Sequence, residues 1–391
     1  MRGEPVVGIQ PAVIQWARES IGMSVEDVAG RLNKSPEDVS NWESGADAPT
    51  YVQLEKLAYE VYKRPLALFF LPEPPKENRP QHEFRTLPAF DLNNLASDTF
   101  LHIRKAHAYQ IALKELFDDK NPAEKQIWEV CPLTLRNSPA NAAASIRQAL
   151  GITLERQAAW PNDDEALRQW RQAIERAGIF VFKSSFKQQE ISGFCLRDDE
   201  LPIIYLNNST TKTRQIFSLL HELAHLLFNI NGLSKFDRGY VEHLPLHERR
   251  IEVFCNAIAA ETLIPSSDFN QQIAELPQDM EAAQEAAIAK LAKRYSVSRE
   301  AILRRFLDLG RVGKRFYEEK TKEWNSQQDK TEGGGSWYAT AGSYISDKML
   351  REVFGRYFRN QVTADQAADY LGVAPKNLLG LEELVIKRLA Q

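Results

Sequence analysis

Phe217-Ser-Leu-Leu-His-Glu-Leu-Ala-His-Leu-Leu-Phe228 is the stretch on which the fold turns. Leu219, Leu220, Leu223, Leu226 and Leu227 wrap it in apolar side chains, and the period predicts one helix from Thr211 to Asn229. Residues four apart share a helix face, so His221 and His225 present two imidazoles to one metal ion, at about 2.0–2.1 Å each for zinc. Glu222 lies beside them. In a His-Glu-x-x-His run that glutamate takes a proton from an activated water and is not itself a ligand. The plainer reading is a helix with two histidines and no metal, and the dry apolar surround favours the site.

A catalytic zinc takes three protein ligands and leaves one position open. Leu246 to Leu263 reads as the next long helix and offers Glu248, Glu252 and Glu261. Ile251, Phe254, Cys255, Ile258 and Ala259 mark its inward stripe. Glu252 is flanked by that stripe, whereas Glu248 falls among Arg249 and Arg250, so Glu252 is the expected third ligand. With only three protein ligands in view, a closed structural site, which wants four, is disfavoured. Tyr240, His243 and His247 lie between the two helices, as candidate donors to a developing oxyanion or as ordinary loop residues.

Outward from this pair, Gly178–Phe182, Ile191–Leu196 and Pro202–Leu206 read as short strands separated by polar turns. They predict a small sheet covered by helices. An extended substrate would lie along a sheet edge, held by main-chain hydrogen bonds, with Ile191 to Leu206 as the expected platform. Helical period returns upstream from Leu92 to Phe117 and from Ala140 to Gly151, and downstream from Ala282 to Leu309 with a break at Tyr295–Ser298.

Together, the 217–228 run, the strands before it and Glu252-x-x-x-Asn256-x-x-Ala259-Ala-Glu-x-Leu-Ile-Pro265 after it resemble the ImmA/IrrE family of zinc peptidases over about residues 165 to 310. The resemblance implies zinc on His221, His225 and Glu252, with Glu222 as base, and a regulatory protein such as a repressor as substrate. Phe254-Cys255 and Ile258 depart from the family's usual Ala and Phe, a matter of packing.

The N-terminal seventy residues are helical with polar breaks. Ser24 is placed to cap a helix through Leu32, and Ser35 followed by Pro36 to cap one through Trp42. Met23 to Leu32, then Val39-Ser-Asn-Trp-Glu43, Gly45, Pro49 and Leu54-x-x-Leu57-Ala58, resemble the XRE/Cro-like helix-turn-helix repressors. Such a domain reads DNA with its second helix, and Arg31, Lys34, Ser40 and Asn41 are the candidates here. Residues 1–75, however, hold 7 Lys/Arg against 11 Asp/Glu, a net of −4, which repels phosphates and suits a docking or dimerisation module equally well. Ile288 to Phe306 repeats the helix, turn, helix layout and is basic, with Arg299, Arg304 and Arg305 as candidate contacts to DNA or a partner. Its alternative is a solvated helical face. Thr363 to Val373 repeats the layout once more with little basic excess.

At 391 residues with a formal net charge of −4, the chain is long enough for several domains, and the charge predicts no strong general affinity for nucleic acid, so any DNA binding must be local. Three widely spaced cysteines, Cys131, Cys195 and Cys255, suggest neither a disulfide framework nor a cysteine zinc site and fit a reducing cytoplasm. Residues 1–30 lack the pattern of a signal peptide, and Leu66–Leu71 is too short to span a bilayer. The expectation is an α+β, predominantly helical cytoplasmic protein with no membrane association. It comprises an XRE-like bundle at 1–71, a connector and helical region at 72–160, and a minimal zincin-like peptidase at 161–326. A hinge rich in glycine and a helical C-terminal module follow at 327–391. Expected partners are Zn2+, a protein substrate, operator DNA and a second copy of the chain. The rival expectation is an antitoxin-like repressor that neutralises a partner toxin, with weak or no peptidase activity.

Overall fold

The protein is described from a computed structural model that covers residues 4–76, 84, 95–235, 238–277, 285–326 and 342–389. The expected hinge at 327–336 and part of the connector after Pro72 lie outside these residues. The chain clusters into two units, Met1–Lys105 with Phe186–Gln188, and Ala106–Ser185 with Gln189–Gln391. No described helix is long and apolar enough to cross a membrane.

In the first unit, α1 (Pro11–Glu19) starts on a proline, and α2 (Val25–Leu32) and α3 (Pro36–Ser44) each open on a capping box. The boxes pair Ser24 with Asp27 and Ser35 with Asp38, so both expected N-caps are met and two acidic side chains are used on backbone N–H groups. Helix α4 (Tyr51–Glu55), capped by Thr50, runs on as a π-helical stretch over Lys56–Val61. Val13, Ile14, Val28, Val39, Trp42, Leu54 and Leu57 are buried between these helices. Gly45 ends α3 at φ 79°, a conformation that glycine adopts without the strain of a Cβ.

The second unit is built on a sheet of four strands, β1 (Phe180–Ser184), β2 (Ile191–Leu196), β3 (Ile203–Asn207) and β4 (Gly232–Lys235). Their order is β1-β3-β2-β4, with β1 parallel to β3 and the other pairs antiparallel. Preceding helices are α5 (Ser97–Phe117, in the second unit from Ala106), α6 (Ile127–Val130), α7 (Pro139–Leu150), α8 (Leu154–Ala158) and α9 (Asp163–Arg176). Helix α10 (Lys212–Leu227) packs across β2, β3 and β4, and α11 (Leu246–Leu263) packs against α10 and α7. Then follow α12 (Ser266–Gln272), α13 (Glu285–Tyr295), α14 (Arg299–Asp308) and α15 (Lys314–Ser326). The chain ends with α16 (Asp347–Phe358), α17 (Ala364–Leu371) and α18 (Leu378–Leu389). One apolar core runs through this unit from Ile127 to Trp324 and includes Leu219, Leu223, Cys255, Ile258 and Phe306.

One expectation changes. The platform expected at Ile191–Leu206 has no free edge, because β2 is paired with β3 and β4, and β3 with β1 and β2. The edge beside the histidine helix is β4, which the sequence pattern had not marked as a strand. In the basic stretch at 288–306 the three candidate arginines have partners within the unit. There Arg305 binds Glu261 at 2.8 Å and the Ile264 carbonyl at 2.7 Å, Arg304 pairs with Asp308 at 3.1 Å, and the Arg299 guanidinium lies 4.9 Å from the Trp324 ring centre.

Candidate metal centre

Helix α10 begins at an N-cap, Thr211, whose hydroxyl accepts from the Arg214 N–H, and it runs without a break to the histidines. Its buried side covers His221, Glu222 and His225 together with the flanking leucines. Helix α11 brings Glu252 opposite them. His221 Nε2 stands 2.9 Å from His225 Nε2, 3.1 Å from Glu252 Oε1, and His225 Nε2 stands 3.2 Å from Glu252 Oε2. All three residues are buried, and they form the one metal-capable group of this kind found among the described residues.

These distances fit a metal ion. Two donors held about 2.0–2.1 Å from one tetrahedral ion stand roughly 3.3 Å apart, close to the three separations here. Two imidazole nitrogens and one carboxylate are also the donor set of an open catalytic zinc site. Glu222 adds a second sign: it is fully buried, and neither carboxylate oxygen has a hydrogen-bond partner. A buried, unpaired carboxylate is costly, so the site needs another group to justify it.

Burial opposes charge on Glu252, but the two imidazoles facing it outweigh that and hold its carboxyl well below the usual carboxylate range. Desolvation likewise opposes a proton on His225, and the Cys255 sulfur and Glu252 carboxylate outweigh it and raise its affinity for the proton. Tyr240 is buried, and its hydroxyl donates to Glu252 Oε1 at 2.5 Å. Burial, then the Glu252 carboxylate, push its ionisation up.

The other expected residues divide. Tyr240 reaches the site, whereas His243 and His247 are exposed and do not line the cavity. Glu261 is absorbed by Arg305 and by the backbone and hydroxyl of Ser266, and Glu248 is half-buried at the helix start. In the first unit, Arg31, Lys34 and Ser40 face solvent and Asn41 is half-buried.

Three further residues stand at the centre that the sequence did not assign to it. Cys255 Sγ lies 3.6 Å from His225 Nδ1, the ring nitrogen turned away from the other donors, and burial pushes its thiol up. Cys195 on β2 accepts the Gly232 N–H at 3.2 Å, and burial, with the Glu222 charge behind it, keeps that thiol protonated. Gly232 opens β4 where a Cβ would stand 2.6 Å from His225 Cδ2 and 2.7 Å from Glu222 Oε2. The inward stripe had marked Cys255, but nothing local to Gly232 or Cys195 shows that they meet this helix.

A cavity of about 890 Å3 opens onto the centre, lined among others by His221, Glu252, Tyr240, Ser234 and Lys235 of β4, and Arg304 and Arg305 of α14. Donors at its floor and a strand edge on its wall would suit an extended chain held beside a metal ion.

Residues 174–307 match the family model of the IrrE N-terminal-like domain, Peptidase_M78, and residues 14–58 match that of a helix-turn-helix, HTH_3. Both resemblances drawn from the sequence are thereby met: the first matched range encloses the donors, and the second begins within α1 and encloses α2 and α3. No curated protein matches the chain.

Proposed function

We propose that this protein is a zinc-dependent endopeptidase that cleaves a regulatory protein, its helix-turn-helix domain serving to bring it to DNA or to that regulator. The observation that carries the reading is the convergence of His221, His225 and Glu252 at metal-ligand spacing, with the unpaired carboxylate of Glu222 buried beside them. The peptidase-domain match supports the reaction class, and the joined helix-turn-helix supports a regulator as the substrate.

His221, His225 and Glu252 would hold the ion. Zinc so held would supply a Lewis acid that brings the pKa of water to about 7. Glu222 takes a proton from the attacking water as its oxygen bonds to the scissile carbonyl carbon. The same carboxyl then gives that proton to the departing amine nitrogen when the C–N bond breaks, so no proton is left over. Tyr240 fixes the Glu252 carboxylate, and β4 offers main-chain donors and acceptors to the substrate strand. Leu219, Leu220, Leu223 and Leu226, all buried, keep bulk water from the helix that carries the base.

A comparison of wild type with Glu222→Gln, each co-expressed with neighbouring proteins and assayed for zinc, tests the proposal. Zinc in both with cleavage only by wild type is the expected result. Absence of zinc, or unchanged biological activity in Glu222→Gln, would sink it. The second reading is a DNA-binding repressor that neutralises a toxin; the acidic balance of residues 1–75 suits a basic toxin partner, and this reading predicts that Glu222→Gln changes nothing. Salt-dependent binding of the chain to its own upstream DNA would favour it.

A further inference from the structure

Leu246, Arg250, Val253 and Ala257 follow each other at helical spacing along α11, on the side away from buried Cys255, Ile258 and Ala259. Leu246 is 80 % exposed and Val253 55 % exposed, unusual for large apolar side chains on a helix with so well buried an inner face. With Leu135, Pro139 and Phe254 they wall an apolar notch of about 440 Å3. Phe254 is held there by an edge-on contact with Phe228, ring centres 5.6 Å apart.

The notch is not isolated. Pro139, Arg249, Val253 and Ala257 line both it and the larger cavity, so the two are continuous across one helix face. Glu252 and Asn256 look into the cavity from the adjoining face of the same turns. At the rim stand Arg249 and Arg250, both exposed and without an acidic partner among the described residues. An apolar recess that shares walls with a cleft and carries two unanswered guanidinium groups is suited to one kind of occupant: a chain already lying in that cleft.

We infer that the notch is a specificity subsite. It takes an apolar side chain of the polypeptide bound at the metal centre, and Arg249 and Arg250 bind a carboxylate on a neighbouring residue of that polypeptide. The substrate class is therefore an extended segment with a large apolar residue next to an acidic one. Occupancy by a cleaved substrate rests on the peptidase reading; the recess and its charge do not.

The test uses the full-length chain carrying Glu222→Gln, so that bound peptide is not consumed, and fluorescein-labelled decapeptides read by polarisation. One position is fixed as Leu beside Glu, and the controls are Ala beside Glu and Leu beside Lys. Burial of the leucine side chain should make the Leu-Glu peptide bind at least about tenfold more tightly than Ala-Glu. Val253→Asp should abolish that gain while zinc content and melting temperature hold, and Leu246→Asp, at a still more exposed position, should do the same. Arg249→Glu with Arg250→Glu should reverse the preference from Glu to Lys. Equal binding of all three peptides, no binding of any, or an intact leucine preference in both aspartate variants would overturn the subsite. So would a dimer that Val253→Asp dissociates with no change in peptide affinity. Cleavage of the same peptides by wild type is scored separately. Selective binding without cleavage would count against the peptidase reading and leave the subsite standing, and cleavage without the leucine preference would do the reverse.

Discussion

Tyr240 and Glu252 are joined by a hydrogen bond of 2.5 Å between a hydroxyl from the loop and a carboxylate from α11. A tyrosine has one proton to donate, and in this arrangement Tyr240 donates it in a hydrogen bond to the Glu252 carboxylate and orients it. Partners that fix a ligand in this way typically contribute about 10–100-fold to metal affinity. Tyr240→Phe, which removes the hydroxyl and keeps the ring in its buried place, is expected to weaken zinc binding by roughly that factor with little change in melting temperature. Competition against a chelator of known affinity measures it. Unchanged zinc affinity would show that Glu252 holds its orientation unaided.

Gly232 sets how closely β4 approaches α10. A methyl group there would stand 2.6 to 2.8 Å from His225 Cδ2 and Cγ and Glu222 Oε2, atoms held in a fully buried setting that cannot give way cheaply. Gly232→Ala should therefore move the histidine or the strand, at a cost of about 1–3 kcal/mol. The expected result is a lower melting temperature together with reduced zinc content. A variant that keeps both would show that the strand shifts freely and that the close approach is not required.

The two motif histidines were legible because an i, i+4 relation in a helix is a local property of the chain. Glu252 was legible for a related reason, since the stripe of Ile251, Cys255 and Ile258 fixes which side of α11 faces inward. What failed depended on distant partners. Gly232-Leu-Ser-Lys235 has one large apolar residue and no alternation, so its strand exists only through pairing with β2. The order β1-β3-β2-β4 makes that segment an edge strand and leaves Ile191–Leu206 in the sheet's interior. The partners of the basic residues in 288–306 were also beyond a local reading, since Arg305 answers to Glu261 and Arg299 to Trp324. In the first unit, likewise, Glu43 and Asp38 counted as repulsive acids, but one is paired with Arg18 and the other caps α3.

That Arg18–Glu43 pair carries a prediction of its own. Arg18 Nε and Nη2 meet the two Glu43 oxygens at 2.7 and 2.8 Å, tying α1 to the end of α3, with the side chains only 14 % and 9 % exposed. The hydrogen bonds that Arg18 donates to the Glu43 carboxylate raise the guanidinium's pKa, and burial, which works against the charge, is outweighed. Arg18→Ala leaves the carboxylate without its partner and should destabilise the helix-turn-helix unit by about 3 kcal/mol. Glu43→Gln, which keeps an acceptor, should cost less. Denaturant unfolding followed by Trp42 fluorescence distinguishes them, and equal losses would mean that charge contributes nothing beyond geometry.

Glu175 supplies the pH dependence. It is buried on α9, 3.6 Å from Arg171 Nε, and its Oε1 accepts the Val181 N–H at 3.3 Å. Burial pushes its carboxyl up to about 7, with Asp347 adding to the rise and Arg171, Ser346 and the Val181 N–H opposing it. Lys348 also faces it, its own ammonium disfavoured by burial. Arg171 does not depend on Glu175 alone, for it donates to the carbonyls of Ser343, Val181 and Ile345. With the folded-state value above the ordinary 4.5, the folded protein holds a proton that the unfolded chain releases between these two pH values. Its contribution to stability is complete below about pH 4.5, declines as pH rises, and is lost above about pH 7, a change on the order of 3 kcal/mol. Glu175→Gln, a neutral side chain of the same shape, should match wild type at pH 5 and melt a few degrees higher at pH 8. Melting curves at the two values decide it: a variant less stable than wild type at pH 8 would mean that the ionised carboxylate is the form the fold prefers, with Arg171 as the stronger influence.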